Sequence, residues 1–294
     1  MKGLWSKRQS SHGAGSGRAA FAESTLAQAA WQRKRKAVAR WGAAGLLCGA
    51  LFGAIAFAPA TWLARAVAAG TGQRLLLADA RGTLWNGDAV AVLTGGPESR
   101  SAAALPGRLD WSIGFVAGGP RLQLKQACCM LNPIDIQLRP GLRGLEVKLP
   151  PGQGGLGEWP AAWLSGLGAP WNTLQLGGSL RLTSQGLSVR VGPGAWQIDG
   201  QATLELNNVS SRVSTLDRLG SYSVGIQGQG SSGANLTLRT LDGVLLLNGA
   251  GAWSASGLRF RGDARAAPES ENALNNLLNI LGRRQGALSV ISIG

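Results

Sequence analysis

Leu187-Ser188-Val189-Arg190-Val191-Gly192-Pro193-Gly194-Ala195-Trp196-Gln197-Ile198 reads as two strands and the turn between them. Leu187, Val189 and Val191 alternate with Ser188 and Arg190, and Trp196 and Ile198 resume the pattern after Gly192-Pro193-Gly194. Successive side chains of a strand point to opposite faces, so period two means one apolar face and one polar face. Gly and Pro punctuate such runs because they supply the backbone angles of a tight reversal.

The same signature recurs in both directions. Upstream it appears at Leu109, Trp111 and Ile113, at Leu122 and Leu124, at Ile134, Ile136 and Leu138, and at Leu145, Val147 and Leu149. Leu174, Leu176, Leu180 and Leu182 follow, and downstream come Leu204 and Leu206, Val224 and Ile226, Leu236 and Leu238, and Leu258 and Phe260. Gly118-Gly119-Pro120, Arg139-Pro140-Gly141, Gly177-Gly178 and Asp242-Gly243 separate them. Gaps this short suit hairpins, whereas parallel strands need long crossovers. The pattern predicts a mainly β chain, roughly a dozen strands in an antiparallel meander. A sheet that long curls, because accumulated twist does not leave it open and flat.

Two helical interruptions are expected. One covers Glu158 to Gly168, with Pro160 near its start and Gly at its end. The other places Leu274, Leu277, Leu278 and Leu281 at i, i+3, i+4 and i+7, on one face. Ser270 is its N-cap, Gly282 its stop, and Arg283-Arg284 suit the negative end of its dipole. A helix this short is not stable alone in water, so it is expected to cap or line the apolar side of the sheet. Leu288 to Ile293 adds a last strand.

The run from Trp41 to Ala64 contains no charged residue and follows Arg33-Lys34-Arg35-Lys36 and Arg40. At about 1.5 Å per residue its 24 residues reach about 36 Å as a helix, against a hydrocarbon core of roughly 30 Å. This predicts a single-pass transmembrane anchor, the basic flank holding the N-terminus in the cytoplasm. A cleaved signal peptide fits less well: its apolar region runs to only about 15 residues, and the one candidate cleavage point, Ala56-Phe57-Ala58, is followed by Pro59. The helix is expected to continue to Ala69 with Gly70 as its C-cap. The division is then a basic, largely disordered cytoplasmic leader at 1–36, the anchor at 37–69 and a periplasmic β domain at 70–294.

Charge follows this division. Of the net +14, +8 lies before Trp41, where nine basic residues face Glu23 alone. Such a leader is a topogenic signal and a contact for anionic lipid. The exported basic residues read as solvated strand positions and turn edges. Nucleic acid is not an expected partner across a membrane.

Catalytic constellations are scarce. The one histidine, His12, lies in the leader, which removes Ser-His-Asp and Cys-His chemistry and His-based metal sites from the exported part. Asp79, Asp88, Asp110, Asp135, Asp199, Asp242 and Asp263 are spread one to a turn or strand edge. No phosphate-binding loop is present; Gly249-Ala250-Gly251 sits in a strand-rich run. Catalytic, cofactor-binding and metal-binding residues are therefore expected to number none, and no cofactor is expected. Cys128 and Cys129 are adjacent, which leaves open a strained vicinal disulfide or two semi-buried thiols. Trp85, Trp111, Trp196 and Trp253 read as packing residues of the sheet.

Three blocks carry a family resemblance. They are Arg81-Gly82-Thr83-Leu84-Trp85-Asn86-Gly87-Asp88-Ala89 with Leu109-Asp110-Trp111, the stretch from Trp163 to Gly178, and Leu241 to Trp253 continuing through Phe260-Arg261-Gly262-Asp263-Ala264. Together they resemble the type II secretion system protein N family of Gram-negative bacteria. The resemblance implies an accessory, non-enzymatic inner-membrane component of the general secretion pathway. Its partners would be other inner-membrane or secretin components of that system, and the lipid bilayer. An envelope lipid-handling protein of the AsmA type, with an apolar β groove, is the alternative. The two readings part on whether the apolar face is plugged or left as an open trough.

Overall fold

The computed structural model describes residues 38, 41–116, 119–141, 144–192, 195–254 and 257–294. The leader, 1–36, and its His12 lie outside the described residues. Contacts divide the chain into two units, Met1–Phe57 and Ala58–Gly294.

In the first unit residues 41–56 are helical, here α1. The second unit opens with α2, Ala60–Gly70. The expected single helix from Trp41 to Ala69 is thus broken. The break is at Pro59, whose backbone is extended (φ −70°, ψ 149°) and which has no N–H to donate to the preceding turn. The carbonyl of Ala58 accepts the Leu84 N–H instead, and Pro59 bridges to Thr83. No helix among the described residues is long and apolar enough to cross a membrane. Nor is Gly70 the cap: Thr71 follows α2, and both its N–H and its hydroxyl donate to the Val67 carbonyl.

The rest is a meander. β1 (Leu75–Gly82) and β2 (Asn86–Thr94) form a hairpin, and short β3 (Ala102–Ala104) pairs with β2. Then come β4 (Leu109–Val116), β5 (Gly119–Gln126), β6 (Ile134–Gly141) and β7 (Gly144–Pro160). A 3₁₀ helix, η1 (Ala161–Leu167), and one turn of helix, α3 (Trp171–Leu174), interrupt the series. It resumes with β8 (Leu176–Gly192), β9 (Ala195–Ser211), β10 (Gly220–Gly228), β11 (Ala234–Gly243), β12 (Leu245–Ser254) and β13 (Gly257–Ala266). After the 3₁₀ turn Pro268–Ser270 come α4 (Glu271–Leu281), β14 (Arg283–Gln285) and β15 (Leu288–Ile293). Among the described residues all fifteen strands belong to one antiparallel sheet. Its neighbours follow chain order except that β3 pairs off the path with β2, which neighbours β4, and that β15 inserts between β13 and β14.

The opening hairpin forms as its alternation predicts, with Val191 opposite Trp196 and Val189 opposite Ile198. Elsewhere glycine acts differently from the expectation. Gly177-Gly178 does not end a strand. β8 runs through it, and the pairing slips between Gly177 and Ser179. Gly178 sits at φ +101°, and a Cβ there would lie 2.4 Å from the Asn207 carbonyl oxygen. This is a bulge, which bends a strand without stopping it. The first expected helix also moves: Glu158, Trp159 and Pro160 still pair with β8, and η1 begins only at Ala161.

Register makes the apolar positions continuous. Trp111 faces Leu124, Leu122 faces Ile136, and Leu138 faces Val147. Val147 faces Val189 and Val189 faces Ile198; further on, Leu206 faces Tyr222 and Val224 faces Leu238. Two clusters cover parts of this face. Ala60 and Leu63 of α2 pack with Leu77, Ala89 and Trp111. Leu274, Leu277 and Leu278 of α4, all fully buried, pack with Leu180, Leu206, Tyr222, Leu245 and Ala264. Burying each such leucine contributes roughly 1.5–3 kcal/mol, which offsets the poor intrinsic stability of an eleven-residue helix. Its start departs from expectation, since Ser270 makes no side-chain cap bond. The helix stops at Gly282 as expected, and Arg283 and Arg284 beyond it open β14.

Curvature follows from η1. Gly166 packs so closely on Leu93 of β2 and Ala103 of β3 that a Cβ would meet their backbones at 2.3 and 2.8 Å. η1 also packs on β8. β2 and β8 are five strand steps apart, about 24 Å in a flat sheet, whereas a seven-residue 3₁₀ helix is about 14 Å long. The sheet bends around the helix.

Candidate functional site

In a meander, alternate connections fall at opposite ends of the strands. One end, the turn end, carries the β1–β2 turn, set back from the tips, five further hairpin turns, β4–β5, β6–β7, β8–β9, β10–β11 and β12–β13, and the last residues of β15. The other, the helix end, carries η1, α3, α4 and the longer loops.

At the turn end the apolar face runs out uncovered. Phe115 is 72 % exposed, Val191 53 %, Ile293 49 % and Trp253 44 %. Leu145, paired with Val191, and Leu258, paired with Trp253, are exposed beside them. Trp85 packs on Phe115 with ring centroids 6.0 Å apart. Within three residues of the five turns, the described charged side chains are Arg121, Arg139, Arg190, Arg259 and Glu146. Glu146 is tied to Arg190 at 3.1 Å and to Lys148 at 3.6 Å.

The glycine-bracketed block at 81–89 is the β1–β2 hairpin at this same end. Thr83 closes it: its N–H and its hydroxyl both donate to the Asn86 carbonyl, and its Oγ accepts the Asn86 N–H. Gly82 takes φ +84° there. A Cβ on Gly87 would lie 2.4 Å from the Arg81 carbonyl oxygen and 2.7 Å from the Trp111 ring. Trp111 is the buried tryptophan of the block, donating its indole N–H to the Leu84 carbonyl at 3.1 Å; Trp85 is only half-buried.

Below that hairpin a bulge between Ala78 and Arg81 sets Asp79 at φ +49°. Its carboxylate accepts from Arg81 at 2.6 Å and from Arg108 at 2.9 Å, and Arg108 Nε also donates to Asp88. The Arg108 hydrogen bond, helped by Arg81, holds the Asp79 carboxyl below its ordinary range. Asp242 is lowered in the same way by Arg218, and Glu158 by Ser179 and then Arg181. The fold brings three of the dispersed carboxylates together, Asp79 and Asp88 bridged by Arg108 and Asp110 opposite Asp88 in the register, and several others are each taken up by an arginine. Asp263 pairs with Arg265, and Asp135 with Arg121. Among the described residues no group of three or more His, Cys, Asp or Glu side chains could hold a metal ion. Burial pushes the Tyr222 phenol well above its ordinary value, and its hydroxyl donates to the Leu245 carbonyl at 3.0 Å inside the core.

The helix end holds two features that sequence reading missed or left open. Cys128 and Cys129 are disulfide-bonded in the β5–β6 turn, beside the almost fully exposed Leu131. The turn is fastened to the sheet, since Glu158 N–H donates to the Cys129 carbonyl at 2.8 Å and Trp159 Nε1 donates to Gln126 at 3.0 Å. A cleft of about 810 Å³ lies between the β2–β3 loop, α3 and the β9–β10 loop. Ser101, Asn172, Ser211, Arg212 and Asp217 are among its lining residues. It joins segments more than a hundred residues apart, and no local pattern announces it.

An open antiparallel sheet, apolar on one face, filled at one end by its own helices and with several of its carboxylates held by arginine, defines a β-meander scaffold presenting surfaces. The chain belongs to the type II secretion system (T2SS) protein N family, whose sequence model matches residues 73–290. No curated protein and no solved structure matches it. The family is an accessory component of the secretion machine, so this protein is a type II secretion component.

Proposed function

We propose that the protein is an inner-membrane accessory subunit that supports export of folded proteins by protein–protein contacts in the periplasm. The helix end carries this reading. There the sheet's apolar face is filled by Leu274, Leu277 and Leu278, and the loops around the filling are polar and shaped into a cleft. A scaffold whose core is plugged by its own helix offers its loops and its polar face to partners. The anchor is supported by composition. α1 is apolar all round, with Trp41, Leu46, Leu47, Leu51 and Phe52 exposed, and a helix without a polar face needs lipid or protein about it. Basic residues at 33–36 and 40 orient it with the leader in the cytoplasm.

One observation favours the lipid-handling alternative. Leu138, Val147, Leu149, Leu187 and Val189, mid-face on β6–β8, are half-buried and belong to neither core cluster. Deleting the gene separates the readings. The subunit reading expects secreted proteins to accumulate in the periplasm with envelope lipids unchanged; normal secretion with altered envelope permeability supports the alternative. An alkaline phosphatase fused after Gly294 should be active, and an inactive fusion overturns the proposed topology.

A further inference from the structure

On the apolar face of the sheet the exposed large residues are not scattered, whereas Leu241 and Leu246, exposed on the polar face, lie singly at the helix end. Phe115, Leu145, Val191, Trp253, Leu258 and Ile293 come from six strands and all lie at the turn end. Isolated exposed apolar side chains are ordinary, but a row of them along one rim marks an interaction surface. The rim has a definite chemistry. Phe115 and Trp253 lie on its apolar face and arginines on its polar face. Arg121 and Arg190 are ion-paired, and Arg139 and Arg259 form no ion pair among the described residues. This combination matches a membrane–water interface with anionic headgroups, where tryptophan and arginine both find a favourable place.

The position of the chain's entry agrees. The unit begins at Ala58, whose carbonyl accepts from Leu84 in the β1–β2 turn, at the turn end. The neighbouring Trp85 carbonyl accepts the Ile113 N–H at 2.6 Å, which sets this turn three residues, about 10 Å, below Val116 at the β4–β5 tip. Phe57 alone separates the helical residues 41–56 from Ala58. The helix end differs: there the large side chains of the apolar face are covered by Leu274, Leu277 and Leu278, and Glu158 and Asp242 each stand against an arginine.

We propose that the turn end of the sheet, through Phe115, Val191, Trp253 and Leu258 with Arg139 and Arg259, seats on the anionic surface of the bilayer that holds the anchor, leaving the helix end projecting away. This rests on the anchored reading above.

The test uses the full chain with Cys48→Ser, reconstituted in vesicles of phosphatidylethanolamine and phosphatidylglycerol carrying a nitroxide at the headgroup. An environment-sensitive fluorophore is placed at Val191→Cys, at Leu258→Cys and, as the helix-end control, at Leu131→Cys. Emission at 191 and 258 should be blue-shifted and largely quenched, and emission at 131 unaffected. Arg139→Gln with Arg259→Gln should lower the ratio of docked to undocked molecules about fivefold per charge removed. If the rim labels stay unquenched while the protein resists carbonate extraction, the docking proposal fails and the anchor stands. If carbonate extracts the full chain, the anchored reading fails and the docking falls with it. Equal quenching at 131 overturns the orientation, and shielding of 191 only when other secretion subunits are added makes a protein the occupant instead.

Discussion

The two ends of the strands solve one problem differently. Both carry the apolar face of a sheet that alternates along its length. At the helix end the chain covers that face itself, with Leu274, Leu277 and Leu278 closed off from water. At the turn end the hairpins stop and Phe115, Val191 and Trp253 face out. The difference teaches that period-two patterning specifies an apolar face and says nothing of what covers it.

Breaking the helix end should have the largest effect. Leu277→Asp with Leu278→Asp puts two charges into sites with no partner, and each leucine removed already costs about 2–5 kcal/mol. The domain should fail to fold, read as loss of the cooperative thermal transition; an unchanged transition would show that α4 is not docked. Next comes the block at 81–89. Trp111→Ala should destabilise by about 3–5 kcal/mol in a denaturant titration. Trp85→Ala, half-buried against Phe115, should cost visibly less, about 1–2 kcal/mol. Equal costs would make the turn end as well packed as the core. Gly178→Ala, forcing a Cβ onto the Asn207 carbonyl at positive φ, should cost about 1–3 kcal/mol. At the rim itself Val191→Ser should stay within about 0.5 kcal/mol in detergent, because little is buried there to lose.

Acid sensitivity should be the smallest signal. Asp79, Asp242 and Glu158 each have a carboxyl lowered by its hydrogen-bonding partners in the folded state. A depressed carboxylate contributes stability above its unfolded value and loses it as pH falls through the folded one. The melting temperature should therefore be flat above the ordinary values of 3.8 and 4.5 and decline below them. Arg108→Gln should flatten the decline, since it removes the largest cause acting on Asp79; the same slope in the variant would assign the acid loss elsewhere.

The sequence by itself determined the antiparallel meander, the apolar face, the amphipathic C-terminal helix and its closing strand, because each rests on local periodicity and turn chemistry. It also placed the one histidine, His12, ahead of the apolar run and spread the aspartates one to a turn or strand edge. Only the tertiary structure decided the rest. Gly177-Gly178 is a turn in one context and a bulge in another, and the pairing of β8 with β9 decides which. Pro59 breaks a run that composition reads as one helix, because the Ala58 carbonyl finds its partner in Leu84. Cys128 and Cys129 could be thiols or a disulfide until the backbone of the β5–β6 turn fixed their geometry. The cleft and the uncovered rim exist only once distant turns are gathered at one end or the other. Such features come from long-range register and packing, which no window of sequence contains.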